Sequence, residues 1–279
     1  MGPRPPTTAK PCRPLPPPVP EFAVDLHNHS RFFHGFVGRS TPYDPVGLRL
    51  HGLVARLRGL DALAVTNHDY AYVGDAGLPV VPGVEVSTTM GHVVVVGPDP
   101  PRRTTPGEYT PGELVDRAHD RGCAAVLAHP FRNSSARESK ADFDAVELNG
   151  KNPEHDARTL QLADRRDLPV VGGSDAHYPI EVGRAYTVLE ADTSDPADVA
   201  DAIRAGRVSP VSNLGHAHRL IDRGYTAVHR GRRWLRAREG EASARGTAGG
   251  TRDGESSAGG NGAGESSTGG SGTRESGDE

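Results

Sequence analysis

The sequence predicts an α/β chain folded as a closed, somewhat irregular barrel of seven strands. Three observations carry that expectation. From Phe22 to Asp175, short β-branched or apolar runs alternate with helix-type patterns, which is the signature of a mainly parallel sheet. Histidines and carboxylates collect at the ends of those runs. The two chain ends differ in composition from the middle. Residues 1–20 hold 9 of the 24 prolines, and residues 240–279 hold 13 of the 35 glycines with no Val, Ile, Leu, Met, Phe, Trp, Tyr or Cys. Neither end buries enough apolar surface to offset the entropy of ordering it. The expected organisation is therefore a disordered Pro-rich tail over 1–20, a barrel core over 21–190, a helical extension packed on the barrel over 191–239, and a disordered Gly/Ser/Glu-rich tail over 240–279.

The strand runs are Phe22–Leu26, Ala62–Thr66, Val80–Val86, His92–Val96, Ala124–Ala128, Phe143–Leu148 and Pro169–Gly173. Several are apolar throughout, as expected of strands covered on both faces. The link between the third and fourth is short, so one hairpin interrupts the alternation. Asp44-Pro45 opens a helix with Val46, Leu50, Leu53, Val54 and Leu57 on one face. Thr110-Pro111 with Glu113 reads as a capping box with proline in the first turn. Asn152-Pro153 opens a third helix through Leu160 and Ala163. Ser194 or Asp195 with Pro196 opens a fourth, through Val199, Ala202 and Ile203, ending near Gly206.

Charge and cysteine content exclude some functions. The whole chain sums to −4, and its middle, residues 21–239, carries 26 basic and 29 acidic groups. That balance excludes a strongly basic coat for duplex nucleic acid. Cys12 and Cys123 do not make a disulfide framework. No apolar run has the length of a membrane span, so a cytoplasmic protein is expected. Lysine occurs only as Lys10, Lys140 and Lys151, against 29 arginines.

The strand ends carry the chemistry. They read Asp25-Leu26-His27-Asn28-His29-Ser30, Thr66-Asn67-His68-Asp69, Gly83-Val84-Glu85, Gly91-His92, Ala128-His129-Pro130, Glu147-Leu148-Asn149 and Gly173-Ser174-Asp175-Ala176-His177. Ligands gather at the carboxyl ends of strands in α/β folds. Residues two apart on a strand share a face, so Asp25, His27 and His29 are expected to point together, as are Asp175 and His177. Imidazole with carboxylate suits Zn²⁺, Mn²⁺ or Fe²⁺. A single such histidine is more often a hydrogen-bonded structural residue. The ordered set points to a metal site. His51, His119 and His155 fall in helix patterns and read as surface or packing residues.

With these motifs the chain resembles the PHP (polymerase and histidinol phosphatase) family of metal-dependent phosphoesterases, over residues 23 to about 190. The resemblance implies a distorted seven-stranded, TIM-like β/α barrel with two or three divalent ions. It implies that His27, His29, Glu85 and Asp175 hold one ion, that Glu85, His92 and His129 hold a second, and that His68 and His177, with His34, hold a third. Asn67 stands where the family usually has Asp, which is expected to remove a hydrogen bond to a ligand. The region from Gly183 to Val211 resembles the small extension that follows some PHP barrels.

The implied activity is hydrolysis of phosphate esters by metal-activated hydroxide attack on phosphorus. Asp175 and His177 are the expected catalytic residues. Arg132 and Arg184, with Lys151, are the expected phosphate clamps, each competing with an ordinary surface role. Asp69 and Glu147 are read either as carboxylates orienting a ligand histidine or as loop caps. The expected partner is a small phosphorylated substrate or nucleotide, with no membrane. The alternative is a nuclease acting on single-stranded ends, a reading to which the basic run Arg230–Arg238 contributes. A C–N hydrolase of the amidohydrolase type and a non-catalytic barrel are further readings. The first lacks a lysine at a strand end, because neither Lys140 nor Lys151 ends a run. The substrate, the metal and the oligomeric state stay open.

Overall fold

The computed structural model describes residues 21–31, 39–132, 134–191 and 193–213. These residues all belong to a first compact unit, Met1–Arg219. The expectations for residues 1–20 and 240–279, for His34 and for Arg230–Arg238 lie outside them.

The expected strands form as β1 (Phe22–Asn28), β2 (Ala62–Val65), β3 (Val80–Thr88), β4 (Gly91–Val96), β5 (Ala124–Leu127), β6 (Ala145–Asn149) and β7 (Val170–Gly173). Two more, β8 (Ala185–Leu189) and β9 (Val208–Ser212), make nine. The sheet order is β7-β6-β5-β4-β3-β2-β1-β8-β9. The pairs β1/β2, β2/β3, β5/β6 and β6/β7 are parallel. The expected hairpin is the antiparallel pair β3/β4, and β4 also runs antiparallel to β5. Strand β8 lies antiparallel to β1 and to β9. The segment after 190 therefore contributes a strand as well as a helix. Strand β9 is an edge strand, the place where Pro210 is tolerated.

The two flanks of the sheet meet at β7. Asn28 bridges Ala176, the His29 amide donates to the Ala176 carbonyl at 2.9 Å, and the Gly172 amide donates to Thr187 Oγ1 at 2.9 Å. This nearly closes the barrel. The approach is close enough that a Cβ on Gly172 would stand 2.3 Å from the Tyr186 carbonyl oxygen, and one on Gly173 2.5 Å from His27 Cβ.

Helix α1 (Asp44–Leu57) starts at the expected Asp44-Pro45 without a side-chain cap, α2 (Pro111–Asp120) starts at its expected cap, α3 (Asp156–Arg166) starts three residues later than Asn152-Pro153 predicts, and α4 (Pro196–Arg204) starts at its expected cap. Thr110 and Glu113 form the capping box on α2, and Asp195 Oδ1 accepts the Ala197 amide at 2.9 Å on α4. A short 3₁₀ turn, Pro153–His155, leads into α3. The barrel interior is apolar at one end. There Val24, Leu26, Ala62, Ala64, Val94, Val96, Ala124, Val126, Ala145 and Val171 pack with Val199, Ala202 and Ile203 of α4. The other end is polar.

Helix α1 turns the opposite face from the one expected. Val46, Leu50, Leu53 and Leu57 are 55, 42, 54 and 77 % exposed, whereas Gly47, Leu48, His51, Gly52 and Ala55 are buried. The reason is steric. A Cβ at Gly52 would lie 1.8 Å from the Ala76 carbonyl oxygen, so the helix seats on its small residues and the leucine stripe faces out. Gly52→Ala is expected to destabilise the fold by about 2–3 kcal/mol. Leu53→Ala is expected to cost no more than about 0.5 kcal/mol. Urea unfolding of the two variants checks the assignment of faces.

Candidate metal centre

The polar end of the barrel is built around Glu85. Its carboxylate is fully buried and meets five imidazoles. Oε1 lies 2.7 Å from His92 Nδ1 and 2.9 Å from His129 Nε2. Oε2 lies 2.9 Å from His68 Nδ1, 3.3 Å from His27 Nε2 and 3.4 Å from His29 Nε2. Asp175 faces the second group, with Oδ1 3.3 Å from His29 Nε2 and 3.4 Å from His177 Nδ1. Eight of the nine expected ligands therefore converge, and the ninth, His34, lies outside the described residues. Strand β4 runs against its neighbours, so His92 reaches the same end from its start.

Backbone irregularity makes this convergence possible. Val24 and Leu26 face the apolar interior, so strict alternation would turn His27 and His29 away from it. Between Asp25 and Asn28, strand β1 carries one residue more than β2 does opposite it. This bulge reverses the parity and brings His27 and His29 inward. Asp25 does not share their role. Its carboxylate accepts the amides of Ser174 and Gly183, each at 2.9 Å, and joins β1 to the turn after β7. His129, Asp175 and Asp69 hold positive φ values of 25°, 51° and 59°, strain of the kind that accumulates at functional sites.

Three donor sets each fit a divalent ion: His27/His29/Glu85, His68/Glu85/His92 and His29/His68/His177, with donor atoms within 4.8 Å of one another in each. Among the described residues, buried Glu85 Oε2 accepts no well-directed hydrogen bond, although three imidazole nitrogens lie 2.9–3.4 Å away, and His27 Nε2 and His29 Nε2 face each other across 3.2 Å. Such an acceptor and such a pair are costly unless a cation satisfies them. Protonation follows the same field. Burial alone would raise the Glu85 carboxyl, but His68, His92 and His27 hold it well below the usual carboxylate range. Burial would likewise raise Asp175, and Lys151 with the neighbouring histidines holds it well below. Burial opposes charge on His27, yet Glu147, Glu85 and Asp175 lift it well above its ordinary value. Burial and the adjacent His177 push His29 well below it.

Surrounding groups fix the ligands. Glu147 Oε1 accepts from His27 Nδ1 at 2.7 Å and leaves Nε2 to the centre, while Oε2 accepts the His129 amide at 2.9 Å. Of the two roles expected for Glu147, this is the orienting one. Asp69 takes the other, accepting from Ser87 and Thr104 as a loop clasp. The Asn67 backbone carbonyl accepts the Glu85 amide at 3.1 Å. Its side chain accepts the Ser30 amide at 2.9 Å and donates to Ser30 Oγ and to Asp44 Oδ1, the latter at 3.4 Å. An aspartate there would set two carboxylates against each other, so Asn67 costs the centre no hydrogen bond.

The expected clamps divide. Arg132 NH1 lies 2.5 Å from Asp175 Oδ2 and the side chain is 40 % exposed. Arg184 is instead buried, ion-paired to Glu181 at 3.7 Å, and lies outside the described lining of the cleft. Lys151 reaches the centre although it lies two residues beyond β6. Its Nζ is 2.5 Å from His177 Nδ1 and 3.3 Å from Asp175 Oδ1, which agrees with its place among the expected clamps and supplies the lysine that the strand ends themselves lack. Glu181, which sequence reasoning did not single out, accepts the amides of His177 and Tyr178 at 2.8 and 3.1 Å. The Tyr178-Pro179-Ile180-Glu181 cap was its signal. Of the surface and packing roles expected for His51, the structure gives it the packing one. It is fully buried and its Nδ1 donates to Asn28 Oδ1 at 2.6 Å, between the two ligands of β1. His119 pairs with Asp144 at 2.9 Å.

Above the centre opens a cleft of about 180 Å³, lined by His68, Gly91, His92, His129, Arg132 and Asp175. Among the described residues, no helix is long and apolar enough to cross a membrane.

The family model for the PHP-associated region matches residues 153–208, which run from the turn before α3 into β9 and include Asp175 and His177. An uncharacterized protein of Methanocaldococcus jannaschii is 27 % identical over 136 residues, covering 43 % of this chain and 56 % of the relative. The chain thus spans little more than half the length of that curated relative. The structure of PsfC from Pseudomonas syringae superposes with a TM-score of 0.58 at 22 % identity, over 74 % of this chain and 97 % of that one, a likeness of fold. A two-domain protein of Bacteroides vulgatus that contains a PHP-like metal-dependent phosphoesterase gives a TM-score of 0.48 at 19 % identity, over 69 % and 65 %.

Two outcomes are expected. Glu147→Ala frees His27 Nδ1 and lowers affinity for Zn²⁺ or Mn²⁺ about 10–100-fold, measured by chelator competition. Burial, then His177 and Lys151, hold His51 at a pKa of about 3 against its ordinary 6.5. The folded value is the lower one, so His51 contributes stability in full above pH 6.5 and loses it as pH falls toward 3. His51→Gln is expected to flatten the fall of melting temperature across that window, with the wild type steeper.

Proposed function

We propose that this chain is a metal-dependent phosphoesterase of the PHP-domain family, acting on small phosphorylated molecules or nucleotides. The observation that supports this most is the single buried carboxylate, Glu85, shared by five imidazoles and opposed by Asp175 beneath an open cleft. His27, His29, Glu85 and Asp175 would hold one divalent ion and Glu85, His92 and His129 a second. Mn²⁺, Zn²⁺ and Fe²⁺ all match the donors. Bound ions would supply Lewis-acid charge and a water of lowered pKa.

The chain's own groups do the rest. Glu147 keeps His27 Nε2 turned inward. Arg132 braces Asp175 and, being part-exposed at the cleft wall, offers its guanidinium to phosphoryl oxygens. Water adds to phosphorus, the ester P–O bond breaks and the alcohol leaves with a proton. The described lining contains no Phe, Tyr or Trp on which a base would stack, and its volume is below the roughly 300 Å³ of ordinary ligand pockets. Both favour a small substrate over an oligonucleotide. A C–N hydrolase is weaker, although Lys151 does reach the centre, because Glu85 already stands where a bridging carboxylated lysine would. On this reading the protein works in the cytoplasm.

The test is a panel of nucleotides, sugar phosphates and 5′-labelled single-stranded oligonucleotides with Mn²⁺, run on wild type and on a His27→Ala/His29→Ala variant. Small phosphates are expected to be hydrolysed, with a loss of at least about 1,000-fold in the variant, or about 4 kcal/mol. Equal rates in the two proteins contradict the site, and cleavage of oligonucleotides alone selects the nuclease reading.

A further inference from the structure

Lys151 stands inside the centre in a chain that otherwise uses arginine for nearly all its basic positions, with three lysines against 29 arginines. Its backbone amide is tied to Asn149 Oδ1 at 3.0 Å, which fixes the residue just past the end of β6. Its side chain is only 17 % exposed. The ammonium is 2.5 Å from His177 Nδ1, 3.3 Å from Asp175 Oδ1 and 3.9 Å from Glu181 Oε2. His177 belongs to the donor set His29/His68/His177, the one set of the three that contains no carboxylate. The carboxylate beside that set is Asp175, whose Oδ1 lies 3.3 Å from His29 Nε2 and 3.4 Å from His177 Nδ1, and Lys151 already pairs with that oxygen at 3.3 Å. An ion there would meet a positive neighbour on its nearest carboxylate, whereas the other two sets contain the Glu85 carboxylate as a ligand.

We propose that Lys151 is a built-in cation of the centre, whose ammonium on His177 and Asp175 supplies the charge a third ion would bring, so that the protein loads two divalent ions. This rests on the metal-centre reading above. The compact ammonium suits the place, because a planar guanidinium needs a paired carboxylate edge and more room. Lys151 acts here as a positioning residue. It holds His177 and Asp175 and limits the number of ions.

Metal content tests it without reference to activity. Wild type and Lys151→Met are loaded with excess Mn²⁺ or Zn²⁺, desalted, and measured by inductively coupled plasma mass spectrometry against protein concentration, with circular dichroism confirming the fold. Two ions per chain are expected in wild type and three in Lys151→Met. Should that variant not fold, Lys151→Gln serves in its place. Three ions in wild type overturn the role of Lys151 and leave the metal centre standing. An unchanged count of two in the folded variant also overturns it. Less than one ion in wild type removes the metal centre itself, and this inference with it.

Discussion

One buried carboxylate organises the polar half of this barrel. Glu85 has no exposed surface and five imidazoles around it. A negative charge removed from water is costly unless opposite charge or hydrogen bonds replace the hydration. Here the replacement comes from the ends of four strands at once, β1, β2, β4 and β5, which ties the position of each strand to the others. The division of labour between the two oxygens, His92 and His129 on one, His27, His29 and His68 on the other, is the geometry of a bridging ligand.

The rest of the fold serves that arrangement in two ways. Helix α4 and small aliphatic residues fill the opposite end of the interior, so the barrel has a packed floor under a polar mouth. Meanwhile two local departures from regular structure aim the ligands. The bulge in β1 turns His27 and His29 inward. The glycines of β7 let that strand lie against β1 and β8, which brings Asp175 to the same mouth. Removing either device would leave the residue types intact and the site dispersed.

Much of this was legible in the sequence because strand ends and cap residues are local signals. The seven strands, the hairpin and the starts of α1, α2 and α4 all follow from short-range pattern, and so does the list of ligands once strands are known to end together. What was not legible depended on distance. Alternation assigned Asp25 to the ligand face because a bulge leaves no mark in β1 composition. The leucines of α1 look like a core stripe, and only the approach of Ala76 to Gly52 shows why they face out. Arg184 and Lys151 exchanged their expected prominence because side-chain reach is set by neighbours. Glu181 holds the first in the interior, and His177 with Asp175 holds the second at the centre. Strand β9 carries little β signal of its own, being short and containing Pro210.

The central claim is that these imidazoles and carboxylates bind ions together. X-ray absorption at the metal K-edge of the loaded protein measures this directly. The account predicts nitrogen and oxygen neighbours at about 2.0–2.2 Å with imidazole multiple scattering, and a metal–metal vector of about 3.5–4 Å. An ion surrounded by oxygen alone, with neither imidazole scattering nor a second metal nearby, would contradict it.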